Sequence, residues 1–208
     1  IRRSIFILDK NNVEFNEPEI QKILSNKNEI LDVANAYEKY LYKIPVDYVS
    51  SSWIIENINF KKDISYSILS RFFEVIFSVF ALILTAPLLL VVFVFIKLED
   101  GGPIFYTQKR IGLNGKKFNI YKLRSMKENS EKDGAMWSLE KDPRVTKIGK
   151  VIRKLHIDEI PQMINIIKGD IGLVGPRSER PEFVEILEKE IPHYSMRHSI
   201  KPGFTGFF

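Results

Sequence analysis

The sequence contains no cysteine and only three histidines. A chain without cysteine can form neither a disulfide framework nor a cysteine-ligated metal site. The histidines are His156, His193 and His198, and they do not show the spacing of metal ligands. We therefore do not expect a histidine-based metal centre, and any metal site would depend on carboxylates.

Charge is absent from residues 75–96, VIFSVFALILTAPLLLVVFVFI. As a straight helix these 22 residues would be about 33 Å long, which is enough to cross the hydrocarbon core of a bilayer. A helix inside a soluble core is seldom so long and so apolar on every side. The stretch therefore predicts insertion into a membrane.

Pro87 lies in the middle of this stretch. A proline inside a helix removes one hydrogen bond and clashes with the preceding turn, so we expect a kink there. A kinked helix can cross the bilayer, or it can turn back as a re-entrant hairpin and leave by the face it entered. Cations flank both ends, at Arg71 and Lys97, so charge does not choose between the two.

Positive charge is concentrated after the apolar stretch. Residues 1–68 carry 9 basic and 10 acidic side chains, whereas residues 109–154 carry 14 basic and 5 acidic ones, a net charge of +9. The partners of this block should be anionic: lipid headgroups, a nucleotide diphosphate or nucleic acid. Nucleic acid is the least expected, because the block follows a membrane segment and has few aromatic residues.

Before the apolar stretch, the pattern predicts a strand over 5–8, a surface helix over 17–31 and a second helix over 33–41. Trp53 follows, and its place ahead of Lys61 and Lys62 suits either a membrane interface or an ordinary core. We leave both interpretations open.

After the apolar stretch, alternating residues predict a hairpin with strands over 104–108 and 118–124. A polar loop over 127–143 follows, with Trp137 as an expected anchor. A helix is then predicted over 144–156, and another over 161–168 ended by Gly169.

An acidic pair, Asp158 and Glu159, occupies the break between these two helices, directly before Ile160-Pro161. Proline disfavours helix at the residue before it, but it is well placed in a first helical turn. The pair should therefore lie at a helix N-terminus, where a carboxylate or phosphate is favoured. Phosphate chemistry with a divalent metal and two merely solvated acids are both consistent with this stretch alone.

An ordered series of motifs extends from about Ser70 to Phe208. The segments are Gly102-Pro103-Ile104-Phe105, Gln108-Lys109-Arg110-Ile111-Gly112, Tyr121-Lys122-Leu123-Arg124-Ser125-Met126, Asp142-Pro143-Arg144-Val145-Thr146, Ile157-Asp158-Glu159-Ile160-Pro161-Gln162, Leu173-Val174-Gly175-Pro176-Arg177 and Lys201-Pro202-Gly203-Phe204-Thr205-Gly206. On these motifs the chain resembles the bacterial sugar transferases, the monotopic phosphoglycosyl transferases that begin the assembly of polysaccharides and glycoconjugates.

The resemblance implies an α+β, helix-rich fold, with a membrane-embedded re-entrant helix kinked at Pro87 and a small cytoplasmic catalytic domain. That domain would contain a short β-hairpin and amphipathic helices. The implied division is an N-terminal segment and connector over 1–68, a membrane-inserted helix over 69–98 and a catalytic domain over 99–208. In long-form members the first part follows a Rossmann-like domain. We expect a fragment of such a member, without its C-terminal tail.

The resemblance also implies transfer of a sugar phosphate from a UDP-sugar to polyprenyl (undecaprenyl) phosphate, with release of UMP. This would be the first membrane step of exopolysaccharide, capsule, O-antigen or glycoconjugate synthesis, at the cytoplasmic face of the bacterial inner membrane. Asp158 would be the nucleophile that carries the sugar phosphate, and Glu159 would bind Mg²⁺. The residues expected to bind phosphate or substrate are Arg153, Arg177, Lys122, Arg124 and Gln162.

The expected partners are a UDP-sugar, polyprenyl phosphate and anionic membrane lipids, with no nucleic acid; a homodimer stays open. Because a sugar nucleotide is cytoplasmic, the resemblance favours the re-entrant form of the helix. Two alternatives are a membrane-anchored, Mg-dependent phosphohydrolase, which would use water as acceptor, and an inactive membrane scaffold, which would tolerate Asp158→Asn. No run of residues indicates which sugar is used.

Overall fold

The computed structural model describes residues 5–8, 17–18, 21, 29–49, 51–57, 64–128, 130, 136 and 142–206. By its contacts the chain divides into two compact units, Ile1–Lys61 and Lys62–Phe208. The expected anchor Trp137 lies outside the described residues, and the three-part division proposed above stays a prediction.

Among the described residues of the first unit, two short strands and two helices have defined bounds. These elements are β1 (Ile5–Leu8), β2 (Glu29–Asp32), α1 (Val33–Leu41) and α2 (Ser51–Asn57). β1 and β2 pair in parallel. The predicted surface helix over 17–31 is therefore wrong at its end, because Ile30 and Leu31 pair with Phe6 and Ile7 instead of continuing a helix.

The start of α1 explains the position of Trp53. Asp32 caps this helix, with its carboxylate accepting a hydrogen bond from the Asn35 amide at 2.7 Å. The Asn35 side chain in turn accepts a hydrogen bond from the Trp53 indole nitrogen at 2.8 Å. Trp53 is buried, so of the two interpretations left open the structure supports the core aromatic.

The second unit begins with α3 (Ile64–Asp100), a helix of 37 residues that includes Pro87. It extends beyond the predicted 69–98 at both ends. Within it, the 34 residues Ser67–Asp100 are long and apolar enough to cross a membrane. Large apolar side chains such as Phe80, Ile83 and Leu84 are exposed along it, as expected of a helix whose solvent is lipid.

Two strands follow α3: β3 (Phe105–Ile111) and β4 (Lys117–Leu123). They pair in antiparallel register from Phe105 with Leu123 to Ile111 with Lys117, at the place where the sequence predicts a hairpin. Asn114 and Gly115 in the connecting turn have positive φ values of 54° and 73°. Asparagine and glycine tolerate this conformation best, so they allow the tight reversal.

The remaining elements are short. They are α4 (Lys147–Lys154), α5 (Gln162–Lys168), β5 (Gly172–Val174), α6 (Pro181–Glu190) and β6 (Gly203–Thr205). β5 and β6 pair in parallel. α4 begins at Lys147 and not at the predicted 144, because the Thr146 hydroxyl caps it and accepts a hydrogen bond from the Gly149 amide at 2.8 Å. Gly169 ends α5 with φ of 90°, as predicted.

The apolar core of the second unit lies along α3, on both sides of Pro87. After the proline, α3 packs through Leu89, Val92 and Ile96 against Leu123, Ile152 and Ile157. Before it, Ala81 and Leu82 pack against Met163, Ile166 and Ile171. Both halves of the apolar helix therefore contact the domain that carries the acidic pair.

Candidate active site

The acidic pair lies in a single 3-10 turn, Ile157–Glu159, between α4 and α5. His156, just before it, has a left-handed backbone with φ of 55°, which separates the turn from the end of α4. Pro161 follows and is the residue before the first turn of α5. The predicted break between two helices, with the acids at the start of the second, is confirmed.

Apolar neighbours hold this turn against α3. Ile157 on one side of the acids and Ile160 on the other both pack into the cluster formed by Leu89, Val92 and Ile96. Because both flanking side chains are held there, the turn cannot move away from α3 without exposing them. The carboxylates are therefore positioned beside the helix that is apolar enough to enter a membrane.

Asp158 and Glu159 are adjacent, but their environments differ. Asp158 is 7% exposed, and its burial raises its pKa, opposed mainly by the charge of Lys122. Burial acts on Glu159 in the same direction, but the charge and hydrogen bond of Lys122 outweigh it and lower the pKa of this carboxyl. Two neighbouring acids with opposite pKa shifts can perform different tasks at one pH.

Lys122 makes direct contact with the acidic pair. Its ammonium lies 2.6 Å from Glu159 Oε1, and both side chains are largely buried. Asn165 fixes the neighbouring backbone: its side-chain oxygen accepts from the Tyr121 amide at 3.0 Å, and its side-chain nitrogen donates to the Asn119 carbonyl at 2.7 Å. Since Asn165 is in α5 and fully buried, it joins β4 to the helix that starts beside the acids.

Two predicted arginines also act on the acidic pair. Arg153, in the last turn of α4, lowers the pKa of Asp158 through its charge, and Arg177 acts in the same way on Glu159. The Arg177 side chain is 59% exposed, and its Nε lies 3.8 Å from Glu179 Oε1. Its carbonyl accepts a hydrogen bond from Arg197 at 2.8 Å. Among the predicted cations, Lys122, Arg153 and Arg177 are thus close enough to act on the two acids through their charge.

Arg124 and Gln162 have different surroundings. Arg124 is buried and makes a two-point ion pair with Asp100 at the end of α3, with Nη1 2.9 Å from Oδ2. A side chain on Gly102 would collide with the same guanidinium, so this glycine permits the pair. Gln162 is buried in the first turn of α5. The structure therefore places Arg124 at the junction with α3, engaged by Asp100.

Three further charged residues join α3 to the elements around the site, although from the sequence only Arg71 is noted, as a cation beside the apolar stretch. Arg71 donates to the carbonyls of Ile166 and Ile167, in the last turn of α5, at 2.5 and 2.7 Å. Glu74 accepts from the Leu173 amide at 3.1 Å. Glu99 accepts from the Lys147 amide at 2.7 Å, at the start of α4. Charged residues at the edges of an apolar stretch are the only sequence signal for such contacts.

The carboxylates at the site fit Mg²⁺ as part of its ligand set, with the rest supplied by water and substrate. Among the described residues there is no group of three or more side chains able to hold a metal ion. Mg²⁺, however, is commonly held by one or two carboxylates while water and substrate phosphate complete its octahedron. Asp158 and Glu159 supply two carboxylates. They therefore suit a Mg²⁺ ion whose remaining ligands are water and the phosphate of a substrate.

Comparison with known proteins agrees with this arrangement. Residues 65–208 match the bacterial sugar transferase family. The chain is 46% identical over 142 residues to UDP-N-acetylgalactosamine-undecaprenyl-phosphate N-acetylgalactosaminephosphotransferase of Aeromonas hydrophila. The aligned residues are 68% of this chain and 34% of that protein. Over 137 residues it is 45% identical to the putative undecaprenyl-phosphate N-acetylgalactosaminyl 1-phosphate transferase of Bacillus subtilis, covering 66% and 76% respectively.

A third relative extends the match into the first unit. Galactosyl transferase CpsE of Streptococcus agalactiae is 37% identical over 205 residues, which is 93% of this chain and 44% of that protein. The chain therefore spans between a third and a half of the Aeromonas and Streptococcus proteins.

The chain belongs to the bacterial sugar transferase family. This confirms the resemblance inferred from the motifs, and it is consistent with the expectation that the chain is part of a long-form member.

Proposed function

We propose that the protein transfers a sugar phosphate from a UDP-sugar to polyprenyl phosphate at the membrane surface, releasing UMP, through a covalent intermediate on Asp158. The observation that carries this proposal is the position of the acidic turn. Ile157 and Ile160 hold it against the apolar helix α3, and Lys122 contacts it directly. A lipid-linked acceptor and a water-soluble phosphate donor could both reach an acid in that position.

Asp158 is the nucleophile in this proposal. One of its oxygens attacks the phosphorus next to the sugar, the bond from that phosphorus to the bridging oxygen breaks, and UMP leaves with the bridging oxygen. An oxygen of polyprenyl phosphate then attacks the same phosphorus, and the aspartate carboxylate is released. A covalent intermediate divides one difficult transfer into two easier steps.

The neighbouring residues handle the charge of the phosphates. The charge of Arg153 acts on Asp158 and that of Arg177 on Glu159. Guanidinium groups bind phosphate oxygens in a two-point manner. Glu159, with its lowered pKa, stays ionised and is the residue that would hold Mg²⁺. When bound, Mg²⁺ offsets the negative charge that develops on the diphosphate.

The names of the relatives support the choice of substrates. The Aeromonas protein is named for a UDP-sugar donor and an undecaprenyl-phosphate acceptor, and the Bacillus protein is named for the same acceptor. Relatives named as exopolysaccharide production proteins support a role in building a surface polysaccharide. The sugar differs among the names, so we propose a UDP-sugar without choosing one.

We further propose that α3 enters the membrane and returns to the same face, with the catalytic domain in the cytoplasm. Arg71 near one end of α3 contacts α5, and Glu99 near the other end contacts α4, so both ends reach one domain. A helix that crossed the bilayer would place its ends on opposite sides. Just before Pro87, the Thr85 hydroxyl donates to the Ala81 carbonyl at 2.7 Å, a contact that often bends helices.

The test uses membranes that contain the full-length protein, supplied with polyprenyl phosphate, Mg²⁺ and a panel of UDP-sugars labelled in the sugar. The wild type should move label from one or more donors into the lipid fraction, and the protein should carry a transient labelled adduct. Asp158→Asn should abolish both, because an amide cannot attack phosphorus. Lys189→Met is the control, since this exposed lysine on α6 lies outside the basic block and the proposed site and should leave transfer intact.

The alternatives give different results in the same assay. Label released as a water-soluble sugar phosphate, independent of polyprenyl phosphate, would indicate a phosphohydrolase. No transfer with any donor, or full transfer by Asp158→Asn, would overturn the proposal.

A further inference from the structure

Lys122 contacts the same carboxylate that is proposed to bind the metal. Its ammonium is 2.6 Å from Glu159 Oε1, and neither side chain is more than about a quarter exposed, at 19% and 24%. A divalent cation on this carboxylate would be a close like-charge neighbour of the ammonium. Like charges at such a distance in a partly buried place repel strongly. A divalent cation and the ammonium would therefore compete for Glu159.

We propose that Lys122 is an exchangeable counter-ion, which holds Glu159 in the metal-free protein and leaves it for a substrate phosphate when a divalent cation binds. This inference rests on the proposed function, since it assigns a second position to a residue of the same site. It makes Lys122 a positioning residue for the metal as well as a phosphate ligand.

The local structure allows the Lys122 side chain to move while its backbone stays in place. The backbone is fixed in β4 opposite Tyr106, and the adjacent Tyr121 amide is bound by buried Asn165. The ammonium, in contrast, is a single point charge on a flexible four-carbon stem. Turning about the bonds of this stem can carry the charge away from Glu159 without disturbing the strand.

Arg124, two residues further on, shows what a fixed cation looks like in this fold. Its guanidinium is buried, paired at two points with Asp100 and enclosed by the backbone at Gly102. The Lys122 ammonium instead pairs with Glu159 through one carboxylate oxygen. A one-point contact is the easier of the two to exchange.

The balance of charge favours the exchange at the moment substrate binds. Three cations act on Asp158 and Glu159 through their charge: Lys122, Arg153 and Arg177. A divalent ion adds positive charge at the carboxylates, whereas a diphosphate adds negative charge beside them. When the Lys122 ammonium moves from Glu159 to the phosphate, the divalent ion lies next to Glu159 and the ammonium next to the phosphate. Binding of the divalent ion alone, or of the diphosphate alone, does not give this pairing.

The first test measures Mn²⁺ binding by electron paramagnetic resonance, using purified full-length protein without any nucleotide. Lys122→Met should bind Mn²⁺ several-fold more tightly than the wild type, because the competing ammonium is gone. Glu159→Gln should lose most binding. Lys109→Met, which removes one exposed positive charge from β3, reports the general effect of charge, and its affinity should change little.

If Lys122→Met bound Mn²⁺ no more tightly than Lys109→Met, or more weakly than the wild type, the competition would be disproved. Affinity that rises equally in both variants would point to general charge alone and would also overturn it. Neither readout uses sugar transfer, so a failure here is distinguishable from a failure of the proposed function.

A second test needs no substitution and so does not depend on a variant that folds. Brief acetylation of the wild-type protein, followed by mass spectrometry, compares the reactivity of Lys122 with and without Mg²⁺. Mg²⁺ should increase acetylation of Lys122, whereas Lys168, bound to the Tyr121 hydroxyl at 2.6 Å, should react equally in both. Reactivity of Lys122 that Mg²⁺ leaves unchanged would contradict the exchange.

Discussion

At the scale of single residues, the site depends on two adjacent carboxylates that differ in their surroundings. Asp158 is buried with a raised pKa, and Glu159 is held in its charged form by Lys122. An aspartate that is poorly solvated is a stronger nucleophile once ionised, because less water must be removed from it before it attacks. The same burial makes ionisation of Asp158 the step that is sensitive to pH.

The first prediction concerns the acid side of the pH profile. As the proposed nucleophile, Asp158 must be ionised to attack. Since its pKa is raised, formation of the proposed covalent adduct should fail at a higher pH than an ordinary aspartate would allow. Lys122→Met should move this limit higher still, because the charge of Lys122 opposes the rise. Single-turnover adduct formation, measured from pH 4 upward at about half-unit steps, gives the limit.

An arginine at the same position provides the control. Lys122→Arg keeps the positive charge, so the acid limit should stay near that of the wild type even if the rate falls. A limit at or below the ordinary range of aspartate, or one that Lys122→Met shifts to lower pH, would contradict the assignment.

At the scale of secondary-structure elements, α3 is joined to two short helices by contacts that match their dipoles. Arg71 donates to carbonyls at the C-terminal end of α5, where a cation is favoured. Glu99 accepts from amides at the N-terminal end of α4, where an anion is favoured. The acidic turn connects α4 to α5, so these two contacts hold both sides of the turn relative to α3.

The second prediction, at the scale of elements, concerns Arg71. Arg71→Met keeps much of the apolar stem but loses both hydrogen bonds to α5, and hydrogen bonds to charged groups contribute about 1.5–3 kcal/mol each. We expect a lower thermal unfolding midpoint in detergent or nanodiscs, together with slower adduct formation as the turn loses its support. Lys150→Met, which removes an exposed cation from α4, is the control and should change neither quantity.

An Arg71→Met protein as stable as the Lys150→Met control would show that the contact with α5 does not hold the turn. The same conclusion would follow from an unchanged rate in a protein that had lost stability.

At the scale of the whole second unit, the apolar helix α3 packs along the rest of that unit through both of its halves. Its exposed apolar side chains face away from the rest of the unit and need lipid around them. The proposed re-entrant form satisfies both requirements, because the helix can bury its exposed face in one leaflet while its ends stay with the rest of the unit.

The third prediction tests this topology with single cysteines, which the absence of natural cysteine in this chain makes straightforward. Ser67→Cys and Leu98→Cys introduce exposed thiols near the two ends of α3. In a full-length background without other cysteines, a membrane-impermeant maleimide should label both in inside-out vesicles and neither in intact spheroplasts. Detergent-opened samples, in which both thiols should react, control for accessibility.

Labelling of the two positions from opposite sides would show a spanning helix and would reject the re-entrant form. Pro87→Ala should increase the fraction of protein that is labelled from opposite sides, since it restores the hydrogen bond that proline removes and favours a straight helix.

The sequence alone determined the features that depend on neighbouring residues. An uncharged stretch specifies a lipid-compatible helix wherever it lies, Pro161 and Gly169 set the limits of α5 through their own backbone preferences, and the ordered motifs identify the family. The predicted secondary structure was wrong where residues pair with a strand that is distant in the sequence. Ile30 and Leu31, for example, pair with β1 instead of continuing a helix.

Only the tertiary structure decided which charges meet. Lys122 and Glu159 are 37 residues apart in the chain, Arg124 and Asp100 are 24 apart, and Arg71 and Ile166 are 95 apart. A lysine can be a surface residue, a phosphate ligand or a buried counter-ion, and only its neighbours decide which. Those neighbours are selected by how α3, β4 and the acidic turn pack, because the free energy of a charge depends on its burial and its partner.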